Sequence, residues 1–112
     1  MQKAIILLIF VVITLGSCNK LDIEKGTPKC VESKIDNLNK IACDDGANVK
    51  EYTFQGKTVY LFYPGVCGAD MTSEVIDSEC NSLGLLGGIS GNTKIGGEEF
   101  SNAVYIKTTW EK

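Results

Sequence analysis

The 112-residue chain contains no histidine and no arginine. Without histidine it lacks the commonest general base and the imidazole metal ligand. Ser73, Ser78 and Ser90 therefore have no partner for a Ser-His-Asp arrangement. Its eleven cations are all lysines, set against fourteen acidic residues. An acidic chain without arginine is a poor nucleic-acid binder, because phosphate contacts need basic patches. No Cys-x-x-Cys pair is present, so zinc and dithiol-exchange spacings are missing. "GGISGNTKIGG" is rich in glycine but lacks the Gly-Lys-Ser/Thr ending of a phosphate loop. The acidic pairs Asp44-Asp45 and Glu98-Glu99 do not alternate around a glycine as calcium ligands do, and read as solvated loops. No carboxylate pair stands out as an acid and base set either. The expectation is a protein that is not an enzyme and takes no metal or cofactor.

Long apolar runs are also missing, with one exception at the start. After Met1-Gln2-Lys3, residues 4–16 are uncharged and mostly Ile, Leu, Val and Phe. That is shorter than the roughly 20 residues a membrane span needs. A positive start, a short apolar core and small residues at its end form a secretory signal. Leu15-Gly16-Ser17-Cys18 resembles the bacterial lipobox, in which the cysteine is acylated and becomes the first residue after cleavage. The resemblance implies a signal peptide over 1–17 and acyl chains on Cys18 that hold the protein to a membrane; several chains anchor stably where one does not. Residues 18–28, the lipidated cysteine and a polar stretch with Gly26 and Pro28, read as a tether. Residues 29–112 are left as a single domain. Once Lys3 is removed, ten lysines face fourteen acids, a net charge of −4. Asn19 is not the Asp that resembles an inner-membrane retention signal, which points to the outer membrane of a bacterial envelope.

Within the domain, "TPKCVESKIDNLNKIACDDG" is the clearest helix. Thr27 is placed to cap it, Pro28 suits its first position, and Gly46 suits its end. Val31, Ile35, Leu38 and Ala42 make an apolar stripe. Strand patterns come next. "VKEYTF" and "TVYLFY" flank a turn at Gln55-Gly56-Lys57, and "SEVID" and "SLGLL" flank another at residues 78–81. "AVYIKTTW" is a last strand, with Val104, Ile106 and Trp110 expected on one side. Between the last two strands, "GGISGNTKIGGEEFSN" has five glycines and reads as a long exposed loop. A helix succeeded by strands predicts an α+β fold, one N-terminal helix on an antiparallel sheet of about five strands.

Four cysteines remain in an exported domain: Cys30, Cys43, Cys67 and Cys80. They imply two disulfides, with three connectivities open. Thirteen helical steps put Cys30 and Cys43 about 20 Å apart, and a disulfide needs Cα atoms within about 7 Å. If the strands alternate direction after the helix, Cys67 falls near Cys43 and Cys80 near Cys30. A crossover connection, or a helix packed across the strands, would instead swap the partners or pair Cys67 with Cys80 and leave the helix cysteines free.

"EYTFQGKTVYLF", "VCGAD", "VIDSECN" and "GGISG" together resemble a family of small bacterial lipoproteins catalogued only as a domain of unknown function. The similarity runs over roughly residues 28–112, with most of it between Tyr52 and Gly91. Relatives tend to carry adjacent cysteines where this chain has Val66-Cys67, and an Asp-Gly-x-Cys near "IGGEE" that is absent here. The resemblance implies fold and location, and no activity.

One helix covers one face of such a sheet, so Tyr60 and Phe62 are expected to contribute an exposed contact surface. "GVCGADMTSE", with Gly68, Asp70 and Met71 and held by Cys67, is the second candidate surface. The functional expectation is a non-catalytic envelope module that binds a protein partner. The alternative is an inhibitor of a secreted hydrolase such as a lysozyme or a protease.

Overall fold

A computed structural model describes residues 21–68 and 71–112. The signal segment, Cys18 and Asp70 lie outside the described residues.

Helix α1 spans Lys29–Ile41. Val31 and Ile35 are fully buried, and Leu38 is half-buried one turn on. Glu32 in the first turn and Lys40 in the last suit the helix dipole. The start differs from expectation. Thr27 does not cap the helix; its hydroxyl donates to the Glu24 carbonyl at 2.6 Å. Pro28 takes the cap position with an extended backbone, φ −56° and ψ 145°. Its missing N–H leaves nothing unsatisfied there. The helix also stops short of Gly46, because Ala42 turns extended.

The strands are β1 (Asn48–Phe54), β2 (Lys57–Tyr63), β3 (Thr72–Asp77), β4 (Ser82–Gly87), β5 (Lys94–Ile95), β6 (Glu98–Glu99) and β7 (Val104–Glu111). Five of them form one antiparallel sheet in the order β4-β3-β2-β1-β7. β1 and β2 join through Gln55-Gly56, with φ of 51° and 76°. Two positive φ values mark the tight hairpin turn whose twist matches the strands. At the β3–β4 turn, the Asp77 carboxylate accepts the N–H groups of Glu79 and Asn81, both at 2.9 Å.

The glycine-rich stretch is not an exposed loop. It forms a short hairpin of β5 with β6, turning at Gly96-Gly97, and then a 3-10 turn at Phe100–Asn102. Ile95 and Phe100 are buried with Phe54, Val59 and Val75 on the sheet face away from α1. The opposite face carries Val49, Tyr60, Phe62, Ile76 and Trp110 beneath Val31 and Ile35. Both faces are covered, which makes three layers where two were expected. The glycines allow the chain to fold back closely; a Cβ on Gly84 would lie 2.9 Å from Ile95 Cδ1.

Strand β7 also departs from simple alternation. Its pairing with β1 shifts twice, leaving Ile106 and Thr109 as extra residues. Each bulge flips the facing of the residues beyond it. The two flips cancel between Val104, opposite Thr53, and Trp110, opposite Val49, so both face the helix side; Trp110 is buried there, while Val104, Tyr105 and Ile106 are exposed.

Candidate functional site

The two disulfides are Cys30–Cys80 and Cys43–Cys67, with Cα atoms 6.1 and 5.5 Å apart. The up-down path places them so. Cys30 in the first turn of α1 meets the β3–β4 turn, and Cys43 just past α1 meets the segment after β2. Each end of the helix is thus fixed to the sheet.

The second disulfide is reinforced by the backbone. Cys43 N–H donates to the Pro64 carbonyl at 3.0 Å, and Val66 N–H to the Asp45 carbonyl at 2.8 Å. Gly65 sits between them with φ 98°, and a Cβ there would lie 2.7 Å from the Asp45 carbonyl oxygen. Val66 projects from this fixed segment, 62% exposed. Gly68 and Met71 are exposed farther along the same connection.

Tyr60 and Phe62 do not form an open contact surface, and Phe62 reaches the surface only as the floor of a groove. They are buried at 4% and 5% exposure, because α1 lies over the face of β2 that carries them. Burial and then the Glu51 charge push the Tyr60 phenol above its ordinary pKa.

What stays open is a groove of about 500 Å³ between α1 and the β2–β4 side of the sheet. Leu38 and Ile41 form its helix wall, Phe62 its floor and Leu85 its far wall. Ile41 is 83% exposed and Leu85 51%. Lys34 and Glu74 bridge the groove with an ion pair at 3.0 Å. Partial burial raises the Glu74 pKa, but hydrogen bonds from Lys34 and Ser82 and the lysine charge outweigh it and hold the carboxyl below its usual range. Lys34 Nζ also stands 6.0 Å from the Phe62 ring centroid.

Sequence reasoning missed this groove. Ile41 lies just off the stripe formed by Leu38 and Ala42, and Leu85 lies opposite Glu74 on edge strand β4, a position that its alternation does not announce. Among the described residues, no group of three His, Cys, Asp or Glu is gathered to hold a metal. No helix among them is long and apolar enough to cross a membrane.

Searches of curated proteins and of solved structures find no match. A family model, Domain of unknown function (DUF6970), matches residues 36–112, from the middle of α1 through β7. That span contains the whole five-stranded sheet and the glycine-rich hairpin beneath it, so the chain belongs to this family of domains of unknown function.

Proposed function

We propose that this protein is a non-catalytic binding module of the bacterial envelope, anchored through acyl chains on Cys18. The observation that carries the binding reading is the groove: an exposed Ile41 faces an exposed Leu85 across a buried aromatic floor. Exposed apolar walls on a frame pinned at both helix ends are pre-organised for a contact, which lowers the ordering cost of binding. The lipobox-like Leu15-Gly16-Ser17-Cys18 supports the anchor and the envelope location. Asn19 favours the outer membrane.

Capture from envelope extract tests the binding reading. A partner retained by the parent and by Val104→Asp, but lost with Ile41→Asp and with Leu85→Asp, supports the groove. A partner kept by all three variants removes it. The anchor has its own test, since Cys18→Ser should abolish partition into detergent. Equal partition of the variant and the parent would overturn the anchor.

A second reading keeps one specific observation. Val66 projects from a segment fixed by a disulfide and two backbone hydrogen bonds, as suits an inhibitory loop entering a hydrolase cleft. Inhibition of a lysozyme or a protease that is lost with Val66→Asp, and kept with Ile41→Asp, would favour it.

A further inference from the structure

Residues 21–24, which lead back towards Cys18, lie against the domain. Leu21 and Ile23 pack against the helix-side core, and Glu24 N–H donates to the Thr109 carbonyl at 3.0 Å. Leu21 is only three residue steps from Cys18. The fully extended reach of those steps is about 10 Å. An anchor at Cys18 therefore holds the domain itself within about 10 Å of the lipid.

The direction of approach is set by the topology. From Glu24 beside Thr109, the chain runs to Lys29, where α1 begins next to the Cys30–Cys80 bridge. Traced backwards, it reaches the domain from the end where β7 finishes. At that end α1 also finishes, with Lys112 bonded to Ala42, and the Cys43–Cys67 bridge lies there too.

Besides Ile41, the last residue of α1, three exposed apolar side chains stand at this same end. Val66 comes after β2, and Met71 precedes β3. Ile89, 90% exposed, tips the turn closed by the Gly91 N–H to Gly88 carbonyl bond. Gly88 in turn donates to the Met71 carbonyl at 3.1 Å. Loop tips with bulky apolar residues are costly in water, and a lipid surface within reach relieves that cost.

We propose that this end of the domain rests on the bilayer, with Val66, Met71 and Ile89 entering the interface of the lipid that Cys18 is anchored in. The inference rests on the anchored reading of the protein. It commits to lipid because the reach of residues 18–21 brings a membrane to this end before any other partner. Asp44 and Asp45 are exposed beside the Cys43–Cys67 bridge, so the contact is apolar and uses a zwitterionic surface rather than an anionic one. The groove runs from Ile41 and Pro64 at this end back along α1 to Lys34 and Glu74.

The test uses the full chain, processed in a bacterial host and reconstituted in phosphatidylcholine vesicles that carry a doxyl quencher near the headgroups. Trp110 is the single tryptophan and is buried, so the parent supplies the baseline. Ile89→Trp and Val66→Trp each add an indole at an exposed tip, and Glu79→Trp adds one at the opposite end. The emission added by the first two is expected to be quenched about twofold or more beyond that added by the third. Two tip indoles guard against one local distortion. Vesicle-bound protein whose three added indoles are quenched alike, or not at all, overturns the inference and leaves the anchor standing. Parent protein that fails to float with the vesicles overturns the anchor, and the inference with it.

Discussion

Lys112 closes the end of α1: its ammonium donates to the carbonyl oxygen of Ala42 at 3.0 Å and to that of Asn39 at 3.1 Å. The same group lies 3.5 Å from Asp44. Helix C-termini leave carbonyls without intrahelical partners, and here a residue seventy positions away in sequence satisfies two of them. Lys112 N–H also donates to the Ala47 carbonyl at 2.9 Å, which fixes the backbone from which the side chain reaches. Lys112→Met keeps most of the stem and removes the charge-assisted bonds. It should cost about 1–2 kcal/mol in denaturant unfolding. An unchanged midpoint would mean that water serves those carbonyls equally well.

Thr109 makes the opposite case. It is 2% exposed, and its hydroxyl has no hydrogen-bond partner among the described residues. A buried hydroxyl without a partner carries its desolvation cost uncompensated. Thr109→Val keeps the branched shape in a strand and removes the oxygen. It should stabilise the domain by about 0.5–1 kcal/mol, seen as a higher midpoint at an unchanged slope. A lower midpoint would show that the hydroxyl is satisfied.

The parts of this fold that depend on local periodicity were legible in the sequence. Val31, Ile35 and Leu38 announce the helix, and its length forbids the Cys30–Cys43 bridge. The strand patterns between residues 48 and 87 alternate cleanly enough to place Cys67 and Cys80 at opposite ends of the sheet. The glycine-rich stretch was illegible because two isolated apolar residues, Ile95 and Phe100, give it no period. Their burial depends on meeting Phe54 and Val59, which lie far away in sequence. Covering the second face with this hairpin, and the first with α1, is what hides Tyr60 and Phe62 and moves the open apolar surface to the groove at Ile41 and Leu85. Bulges did the rest. The extra residues Ile106 and Thr109 turn Tyr105 and Thr108 to the opposite face from Trp110 and restore Val104, opposite Thr53, to the same face, and no residue type marks them in advance.

Acid should weaken the contact that ties α1 to β3. Glu74 has its folded pKa below its ordinary value, so the Lys34–Glu74 pair stabilises the fold above the unfolded pKa, about 4.3. That contribution is lost as pH falls through this value and then through the lower folded one. Both side chains are about one-third exposed, so the pair contributes only about 0.5 kcal/mol. Thermal melting of the parent and Glu74→Gln should differ at neutral pH and converge once the pH lies below the lowered folded value. Asp77 behaves likewise, held below its ordinary range chiefly by the Asn81 backbone N–H. A gap between the parent and Glu74→Gln that persists unchanged into acid would show that the substitution acts through shape rather than charge.

Gly65 and Gly56 separate backbone strain from lack of space. Both have positive φ, 98° and 76°, so an alanine at either is strained. In the left-handed region that strain is about 1–2 kcal/mol. The surroundings differ. A Cβ on Gly56 would meet nothing within 4 Å, whereas one on Gly65 would lie 2.7 Å from the Asp45 carbonyl oxygen and 3.1 Å from the Ala47 nitrogen. Those are backbone atoms, held where Cys43 bonds Pro64 and Val66 bonds Asp45. They cannot move aside without opening the segment that the Cys43–Cys67 bridge closes. Gly56→Ala should therefore cost about 1 kcal/mol, and Gly65→Ala about 3 kcal/mol or more. Reduction of the disulfides would free the Cys43–Cys67 segment to shift. The excess cost of Gly65→Ala over Gly56→Ala should then shrink when both are measured with reductant. Equal costs for the two variants in the oxidised protein would mean that the approach of the two segments is loose, and that Val66 is not presented on a rigid support.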